Sequence, residues 1–422
     1  MLSMVPAYAV NPSKIALILP LTGRLSQVGE DMQSAAEMAF ENYTSFSEPT
    51  FSLRVFDHYS NPDSAETIAL RIAKNDEFIA IAGGYPSSCA YRIAQISAEY
   101  AIPYLVLSSS DDTLTQMGNK SLFRIAPPSS DYNDGLLGWA ASIAGSERKI
   151  AVVSENHPRN TRAEQDIRDD LKAIWRGESN HYMFNPGNQD FSEIIQSLER
   201  YKPTLVWIIG STADAARFLR QCREADWQPV SFIFGLTNLV NNRIISLSDG
   251  AADFAFAPVV WWAGSIYPGS GEFVEAFQNR RGHNPDYHAA ESYAGLQVLA
   301  SALGKTRDHN RQLLQSLLSM TNQPTVVGNV HFERFKEYLN QNRMMTLAVQ
   351  QDGKRWACVW PLEMAERNYT YPAPTWSERE VTAKAAANPS INFLWIPLVL
   401  LIGVMLYSGS RRRQELMRKL DE

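Results

Sequence analysis

One stretch of the chain, residues 78–115, limits the fold more than any other because it reads as a strand, a helix and a second strand. An apolar run at 78–82 ends in Gly83 and Gly84, and a second apolar run at 102–107 ends in three serines. Apolar residues between the two runs recur at roughly helical spacing. A pair of parallel strands needs such a crossover connection. The stretch therefore predicts an α/β fold with a parallel sheet.

Small polar residues follow both predicted strands. Ser87 and Ser88 stand where the helix should begin, and Ser108 and Ser110 follow the second strand. Ligands of open α/β sheets bind beyond the carboxyl ends of the strands, and the start of a helix offers free backbone N–H groups. These serines are therefore candidates for binding a small molecule. The alternative is that they only cap the helix and form turns.

The same alternation of strands and helices occurs twice along the chain. The first series begins with apolar runs at 14–19 and 51–57, before the stretch described above. The second series contains predicted strands at 149–153, 181–184, 204–209 and 231–234. Two successive β/α series predict two similar lobes, each with a parallel sheet.

Composition excludes several classes of protein. Of the 422 residues, 45% are hydrophobic and 20% are charged, which is typical of a globular protein large enough for two lobes. The net charge of -6 gives no indication of nucleic-acid binding. Cys89, Cys222 and Cys358 lie too far apart for a metal-binding motif, and their odd number does not form a disulfide framework.

The sequence contains none of the short motifs that mark common enzyme active sites. Gly83 and Gly84 are not followed by the Lys-Ser/Thr of a phosphate-binding loop, and no Gly-x-Ser-x-Gly turn occurs. No two of the seven histidines have the spacing of a helical metal site. We therefore expect no enzyme activity, no resident metal and no cofactor.

The start of the chain predicts export. Residues 1–13 contain Ala7-Tyr8-Ala9, which resembles the end of a secretory signal peptide, although the charged and long apolar parts of such a peptide are missing. We interpret this segment as a signal-peptide remnant. The alternative is an ordinary N-terminus.

The C-terminal part predicts a membrane anchor. A polar linker at 376–390, which contains Pro389, leads to the apolar run 391–407, which would span about 26 Å as a helix. The basic tail 408–422 follows, and positive charge stays on the cytoplasmic side of a membrane. We expect a single-pass protein whose main domain lies on the periplasmic or extracellular side. The alternative is a buried C-terminal helix.

Several segments, taken in order, resemble the type I periplasmic binding proteins of the leucine/isoleucine/valine-binding branch. They include KIALILPLTGRLSQVGEDMQSAAEMAFEN, FDHYSNPDSAETIALRI, IAGGYPSSCA, IPYLVLSSSDDTLT, LFRIAPPSSD and TVVGNVHFERF. The resemblance covers roughly residues 14–379. It implies two Rossmann-like lobes with parallel sheets, joined by a three-strand hinge that closes over a ligand.

The resemblance also divides the chain into lobes. The binding domain would extend over 14–375. Lobe I would contain about 14–126 and 259–330, and lobe II about 127–258 and 331–362.

Binding residues follow from the resemblance one at a time. In amino-acid-binding relatives, a serine after the glycine-rich strand contacts the ligand carboxylate, and Ser87 holds that position. Ser108 and Ser110 match positions that bind the ligand amine and carboxylate. Val28 replaces an aromatic wall of the side-chain pocket, and Thr212, or its neighbour Ser211, replaces a tyrosine.

One departure from the family pattern bears on the ligand. Relatives place a glutamate on the ligand ammonium, and Thr237 stands at the corresponding turn. The nearest acids, Asp214 and Asp253, do not fit the pattern, and we expect Asp111 and Asp112 on a solvated turn. A buried ammonium without a carboxylate is costly. Either the ligand lacks a free ammonium, or another acid reaches the cleft, or the cleft binds no small molecule.

Three aromatic residues are further candidates. Tyr85, Trp261 and Trp262 would stack on a flat ligand, or they would pack in the core, and we favour core packing for the tryptophans.

The implied function is that of a membrane-anchored, extracytoplasmic solute-binding protein. It would capture a small polar metabolite, such as an amino-acid-like compound, an amide or an organic acid, for ABC-type uptake or sensing. Its partners would be an ABC transporter permease or a membrane sensor, and no nucleic acid. The alternative is a ligand-free interaction or regulatory module on the same fold, as in the penicillin-binding-protein activators.

Overall fold

We describe the fold from a computed structural model. It covers residues 13–44, 51–145, 149–156, 165, 167, 169, 171, 177–236, 239–305, 310–335, 337–353 and 355–379.

The first lobe is built on a seven-stranded sheet. Its strands are β1 (Ser13–Leu19), β2 (Phe51–Asp57), β3 (Phe78–Gly83), β4 (Tyr104–Val106), β5 (Leu122–Arg124), β13 (Glu333–Phe335) and β14 (Tyr338–Gln341). They lie side by side in the order β13-β14-β5-β4-β3-β1-β2, and all pairs are parallel except β13 with β14. A separate hairpin of this lobe consists of β11 (Asn322–Thr325) and β12 (Gly328–His331).

The second lobe repeats this plan. Its strands are β6 (Ile150–Glu155), β7 (Ser179–Phe184), β8 (Leu205–Ile209), β9 (Ser231–Phe234), β10 (Phe256–Val259), β15 (Leu347–Asp352) and β16 (Arg355–Trp360). Their order is β16-β15-β10-β9-β8-β6-β7, and β15 runs antiparallel to both of its neighbours. The predicted two-lobed α/β fold is confirmed, but each sheet also carries an antiparallel strand at or next to one edge.

Helices cover both faces of the sheets. The first lobe has α1 (Ser26–Thr44), α2 (Pro62–Ala73), α3 (Ser87–Tyr100), α4 (Thr113–Gln116), α9 (Ser270–Arg281), α10 (Tyr287–Gly304) and α11 (Arg311–Ser319). The second has α5 (Ser129–Ala144), α6 (Ser192–Tyr201), α7 (Thr212–Glu224) and α8 (Asn242–Ser248). Residues 15–19 of β1 are fully buried, because α1 and α10 pack on one face of the sheet and α2 and α3 on the other. This explains the continuous apolar run at 14–19.

The lobe boundary lies further along the chain than predicted. Strands β13 and β14 extend the first sheet, so residues 333–341 belong to lobe I and not to lobe II. The chain crosses back between β14 and β15. The predicted boundary followed from the resemblance to the family, which does not show which sheet the strands after residue 330 join.

Side-chain amides link the crossovers near the first sheet. The Asn342 backbone N–H donates to the Arg124 carbonyl oxygen (3.0 Å), and its Nδ2 donates to the Ile125 carbonyl oxygen (2.9 Å). Gln341 Nε2 donates to the carbonyl oxygen of Ala126 at 2.9 Å. The first and third crossovers are therefore held together where they leave lobe I.

Several predicted segments lie outside the described residues. They are the predicted signal remnant except residue 13, most of the linker, the apolar run 391–407, the basic tail and Thr237. Within the part of the chain that the structure describes, no helix is long and apolar enough to cross a membrane.

Candidate functional site

The carboxyl ends of neighbouring strands form the candidate site in each lobe. In the first sheet the strand order reverses at β1, and in the second it reverses at β6. Such switch points are where open α/β sheets bind ligands, because the loops on either side turn in opposite directions and leave a crevice.

The loop after β3 depends on two glycines. Gly83 and Gly84 have φ angles of 123° and 87°, which favour glycine strongly. A Cβ on Gly83 would overlap the carbonyl oxygen of Ile18, and one on Gly84 would overlap the Tyr104 hydroxyl. This tight turn carries the chain into α3 and leaves Tyr85 and Ser87 half-buried.

A buried histidine supports this loop from below. His58 Nε2 lies 2.9 Å from the carbonyl oxygen of Tyr85, and its Nδ1 lies 3.7 Å from Cys89 Sγ. Burial lowers the pKa of His58 and favours the neutral ring. Because a carbonyl only accepts, Nε2 carries the proton and donates to Tyr85, and Nδ1 accepts from the thiol.

The loop after β1 is held by Asp57 at the end of β2. Its carboxylate accepts hydrogen bonds from the backbone N–H groups of Leu21 (2.9 Å) and Tyr59 (2.8 Å) and from Thr22 Oγ1 (2.6 Å). Burial alone would raise the pKa of Asp57, but these hydrogen bonds outweigh it and lower the pKa. Asp57 therefore shapes this loop.

Arg124 organises the loop after β4. This fully buried side chain donates from Nη1 to the carbonyl oxygens of Ser109 and Asp111, and from Nη2 to Thr115 Oγ1 at 2.9 Å. Its Nε donates to Gln341 Oε1 at 2.6 Å. Burial lowers the pKa of Arg124 to about 10, although Asp112 opposes this. Sequence reasoning missed the role of Arg124. The available signal was a charged residue inside the otherwise apolar segment 122–126.

Two loops meet at a pair of serines. Ser109 Oγ donates to Ser87 Oγ at 2.8 Å, and Ser87 stands in the first turn of α3. Ser110 is half-buried, and its carbonyl oxygen accepts from the Ser129 backbone N–H at 2.8 Å. Ser87 and Ser110 thus lie on loops at neighbouring strand ends, as the sequence predicts, and the unpredicted Ser109 connects these loops.

Ser108 has a different environment from the other serines. Only 3% of this residue is exposed, and its hydroxyl contacts both His288 Nδ1 and Glu291 Oε2 at the start of α10. A hydroxyl has one proton and two lone pairs. Because both contacts come from the protein, this hydroxyl orients His288, and the expected contact of Ser108 with a ligand stays a prediction.

In lobe II a buried acid lies at the corresponding place, the carboxyl end of a strand at the switch point. Glu155 ends β6, and its Oε2 accepts from the Ser211 backbone N–H at 2.9 Å. Ser211 caps α7, and the Thr212 hydroxyl lies 3.4 Å from Asn241 Nδ2. Glu155 was not predicted, although an acid directly after an apolar run was the available signal.

Comparisons with known proteins agree with this architecture. The family described as "Periplasmic binding protein" matches residues 12–355. The chain belongs to this family, in its type I leucine/isoleucine/valine-binding branch. A relative from Brucella melitensis, the Leu/Ile/Val-binding protein homolog 7, is 23% identical over 81% of this chain and 90% of its own length.

Solved structures of binding proteins share the fold. The branched-chain amino acid transporter substrate binding protein of Streptococcus pneumoniae, in complex with isoleucine, has a TM-score of 0.68, 14% identity, and covers 86% of this chain and 100% of its own. A solute binding protein of an ABC transporter from Rhodopseudomonas palustris, in complex with 3,4-dihydroxybenzoic acid, has a TM-score of 0.67 and 17% identity. The match covers 87% of this chain and 99% of that protein.

In this binding protein the loop acids that we considered for a ligand ammonium have internal partners. Asp111 Oδ1 accepts from the Thr113 backbone N–H and hydroxyl, at 2.9 and 2.6 Å. Asp112 is only 1% exposed and accepts from Ser129 Oγ at 3.0 Å and from the Tyr338 hydroxyl at 3.3 Å. The expected solvated turn is therefore wrong for Asp112, because it lies beneath the crossover into lobe II.

The structure also gives the positions of the other two acids, Asp214 and Asp253. Asp214 forms a 2.6 Å ion pair with Arg217 and accepts from the Gly187 backbone N–H at 3.0 Å. Asp253 precedes β10 and so lies at the opposite end of that strand from the cleft. Burial raises the pKa of Asp253.

Aromatic residues divide between core and cleft. Trp261 is buried and donates from Nε1 to the Val326 carbonyl oxygen at 2.8 Å, and Trp262 packs against the core of lobe II. Tyr85 instead packs against His288, with ring centroids 4.4 Å apart. Val28 is half-buried against the core of lobe I. Tyr85 is therefore the predicted stacking residue that lies beyond the carboxyl ends of the strands.

The Ser108, His288 and Glu291 contacts differ from those of a serine hydrolase. In a catalytic triad the histidine lies between serine and acid and accepts the serine proton. Here Ser108 lies between the other two residues, and it is nearly inaccessible. This arrangement orients a side chain and does not activate a nucleophile.

Proposed function

We propose that this chain captures a small polar metabolite in the cleft between its lobes, for ABC-type uptake or for sensing. The observation that carries the proposal is the pair of joined loops at the first switch point. Ser87 in the first turn of α3 and Ser110 in the loop after β4 are partly accessible there, and His58 and Arg124 hold the two loops from below. Preorganised hydroxyl and N–H groups suit a polar or anionic group of a ligand.

The relatives support the same class of ligand. One solved structure contains isoleucine and another contains 3,4-dihydroxybenzoic acid, and both compounds carry a carboxyl group. We propose that a carboxylate or another acceptor group of the solute binds near Ser87, as an amino-acid-like compound, an amide or an organic acid would.

We also propose that the protein is anchored in the membrane with its lobes outside the cytoplasm. The support is the sequence of residues 391–407, which is apolar, and the arginines that follow it. An ABC permease or a membrane sensor is the partner that we propose for the closed, ligand-bound lobes.

A thermal-shift screen tests the proposal. The full chain is purified in detergent and heated with amino acids, amides and aromatic and aliphatic acids. A ligand of the folded state raises the melting temperature by mass action. If no compound of a broad set stabilises the chain, the alternative of a ligand-free interaction module is favoured.

A further inference from the structure

The starting point is the charge state of Glu291. This carboxyl group is fully buried, and burial raises its pKa well above the ordinary value. Its Oε2 contacts Ser108, whereas its Oε1 has no hydrogen-bond partner among the described residues. The hydrogen bond with Ser108 and the charge of Arg124 oppose this rise in pKa, whereas the charge of Asp286 adds to it. A carboxylate that is fully buried and has no ion pair among the described residues is costly, so burial favours the neutral carboxylic acid form of Glu291.

The proton of this acid has one favourable place. The contact between Ser108 Oγ and Glu291 Oε2 lets the proton of a neutral acid be donated to the serine, whereas Oε1 has no acceptor among the described residues. Ser108 then accepts from Glu291 and has its own proton left to donate. Its other contact is His288 Nδ1, so the serine proton points to that nitrogen.

This order of donors determines the tautomer of His288. Burial lowers the pKa of His288, which favours the neutral ring. A neutral imidazole that accepts at Nδ1 carries its proton at Nε2. Nε2 has no hydrogen-bond partner in the described part of the chain, and 7% of the residue remains exposed. The chain of donors therefore ends in one free N–H group.

Aromatic rings hold the imidazole in place. Its centroid lies 4.4 Å from the Tyr85 ring and 4.0 Å from the Tyr287 ring. Tyr85 belongs to the same loop as Ser87, which places His288 beside the candidate ligand site. From lobe II, the buried Tyr132 lies near Glu291.

We propose that His288 is a specificity-determining residue that offers Nε2–H to an acceptor oxygen of the bound solute, and that Ser108 and Glu291 are its positioning residues. The inference rests on the proposed function, because it concerns the solute in the same cleft. A carboxylate or carbonyl oxygen accepts from this N–H group. An ammonium finds no acceptor at this N–H group, so the network selects solutes whose group at this position is an acceptor. The nearby Asp286 carboxylate, whose charge also acts on His288, accepts from the Ala289 backbone N–H.

The tautomer is tested without any ligand. The full chain is labelled with 15N-histidine, and the His288 signals are assigned from their loss in His288→Gln. We expect the shifts of a neutral ring protonated at Nε2. Glu291→Gln keeps a donor toward Ser108 and should leave the shifts unchanged, whereas Glu291→Leu removes it and should introduce the other tautomer. An imidazolium or an Nδ1–H tautomer in the unmodified chain overturns the proposal.

The selectivity is tested with matched compounds. Leucine carries both charged groups, 4-methylpentanoate lacks the ammonium and 3-methylbutylamine lacks the carboxylate. Phenylalanine, 3-phenylpropanoate and 2-phenylethylamine form a second set. Each is titrated against the full chain, and we expect the two carboxylates to bind most tightly within their sets and the amines to bind most weakly.

Two variants connect the selectivity to His288. His288→Phe keeps a ring between Tyr85 and Tyr287 but loses the N–H, and should weaken carboxylate binding by about tenfold or more. His288→Gln keeps an amide donor and should retain most of the affinity. The inference is overturned if the unmodified chain prefers the amines, or if His288→Phe binds the carboxylates as tightly as the unmodified chain does. Either result leaves the proposed function standing. Failure of every compound to bind the unmodified chain contradicts the proposed function and the inference with it.

Discussion

Ser109 Oγ donates a 2.8 Å hydrogen bond to Ser87 Oγ, and this bond joins the loops that follow two neighbouring strands of lobe I. The contact leaves the Ser87 hydroxyl proton available, because Ser87 acts as the acceptor. Ser87 is half-buried, whereas its neighbour Ser88 is exposed. The pair thus directs one hydroxyl donor toward the space beyond the sheet.

Ser87→Ala is expected to weaken ligand binding about tenfold or more, because a hydrogen bond to a charged group contributes roughly 1.5–3 kcal/mol. The affinity is measured by calorimetric titration with the compound that stabilises the chain most. Ser88→Ala is the matched control and should bind normally. Equal affinities for the two variants would remove Ser87 from the site.

Arg124→Met is expected to destabilise the protein by roughly 3 kcal/mol, because the Ser109 carbonyl loses its donor and the Asp111 carbonyl and Gln341 Oε1 each lose one of two donors. Urea unfolding of the full chain measures the change. Arg92→Met removes a partly exposed arginine with two surface ion pairs and should cost about 0–1 kcal/mol. Similar losses for both variants would mean that the buried guanidinium has no special role.

Glu291 is expected to make stability depend on pH in a defined direction. Its pKa is higher in the folded chain than in the unfolded chain, so the folded state binds the extra proton. The contribution of Glu291 to the free energy of unfolding is complete at pH values below 4.5, the ordinary pKa of the group, and is lost as the pH rises above it. Glu291→Gln carries no such proton and should gain stability relative to the unmodified chain as the pH rises.

Urea unfolding of both proteins between about pH 4 and pH 9 tests this difference. Glu199→Gln, at an exposed position of α6, is the control and should follow the unmodified chain. A constant difference between Glu291→Gln and the unmodified chain would show that Glu291 does not titrate on unfolding.

The site illustrates which features a sequence can reveal. Gly83 and Ser87 lie in one continuous segment, so local patterns predicted their loop and the helix behind it. Ser108 and Glu291 are 183 positions apart, and Arg124 and Gln341 are 217 apart. Neither pair has a local signature, because each contact depends on how α10 and β14 pack against the first sheet. Asp112 was assigned to solvent for the same reason.

The orientation of the proposed anchor gives a test in cells. A reporter fused after Glu422 is expected to be active only in a form that works in the cytoplasm, because the arginines after residue 407 oppose export of the C-terminus. A reporter inserted in the linker at 380–390 should behave in the opposite way. Export of the C-terminal reporter would contradict the proposed topology.

Thr237 gives the last prediction, since the resemblance to amino-acid-binding relatives implies a glutamate for the ligand ammonium at that position. Threonine supplies a hydroxyl but no charge, and Asp111, Asp112 and Asp214 already have internal partners. We therefore expect leucine, isoleucine and valine to bind weakly or not at all, and a solute without a free ammonium to bind better. Thr237→Glu should restore a charge-assisted bond and improve leucine affinity about tenfold or more.

Calorimetric titration of the full chain with leucine and 4-methylpentanoate decides this. Thr237→Gln is the control, since it has the length of glutamate without the charge, and it should leave leucine binding weak. Tight leucine binding by the unmodified chain would contradict the prediction. It would direct attention to Glu155, the buried acid at the edge of the second sheet, whose Oε2 already accepts from Ser211. Glu155→Gln should then abolish leucine binding, because a neutral amide cannot compensate a buried ammonium.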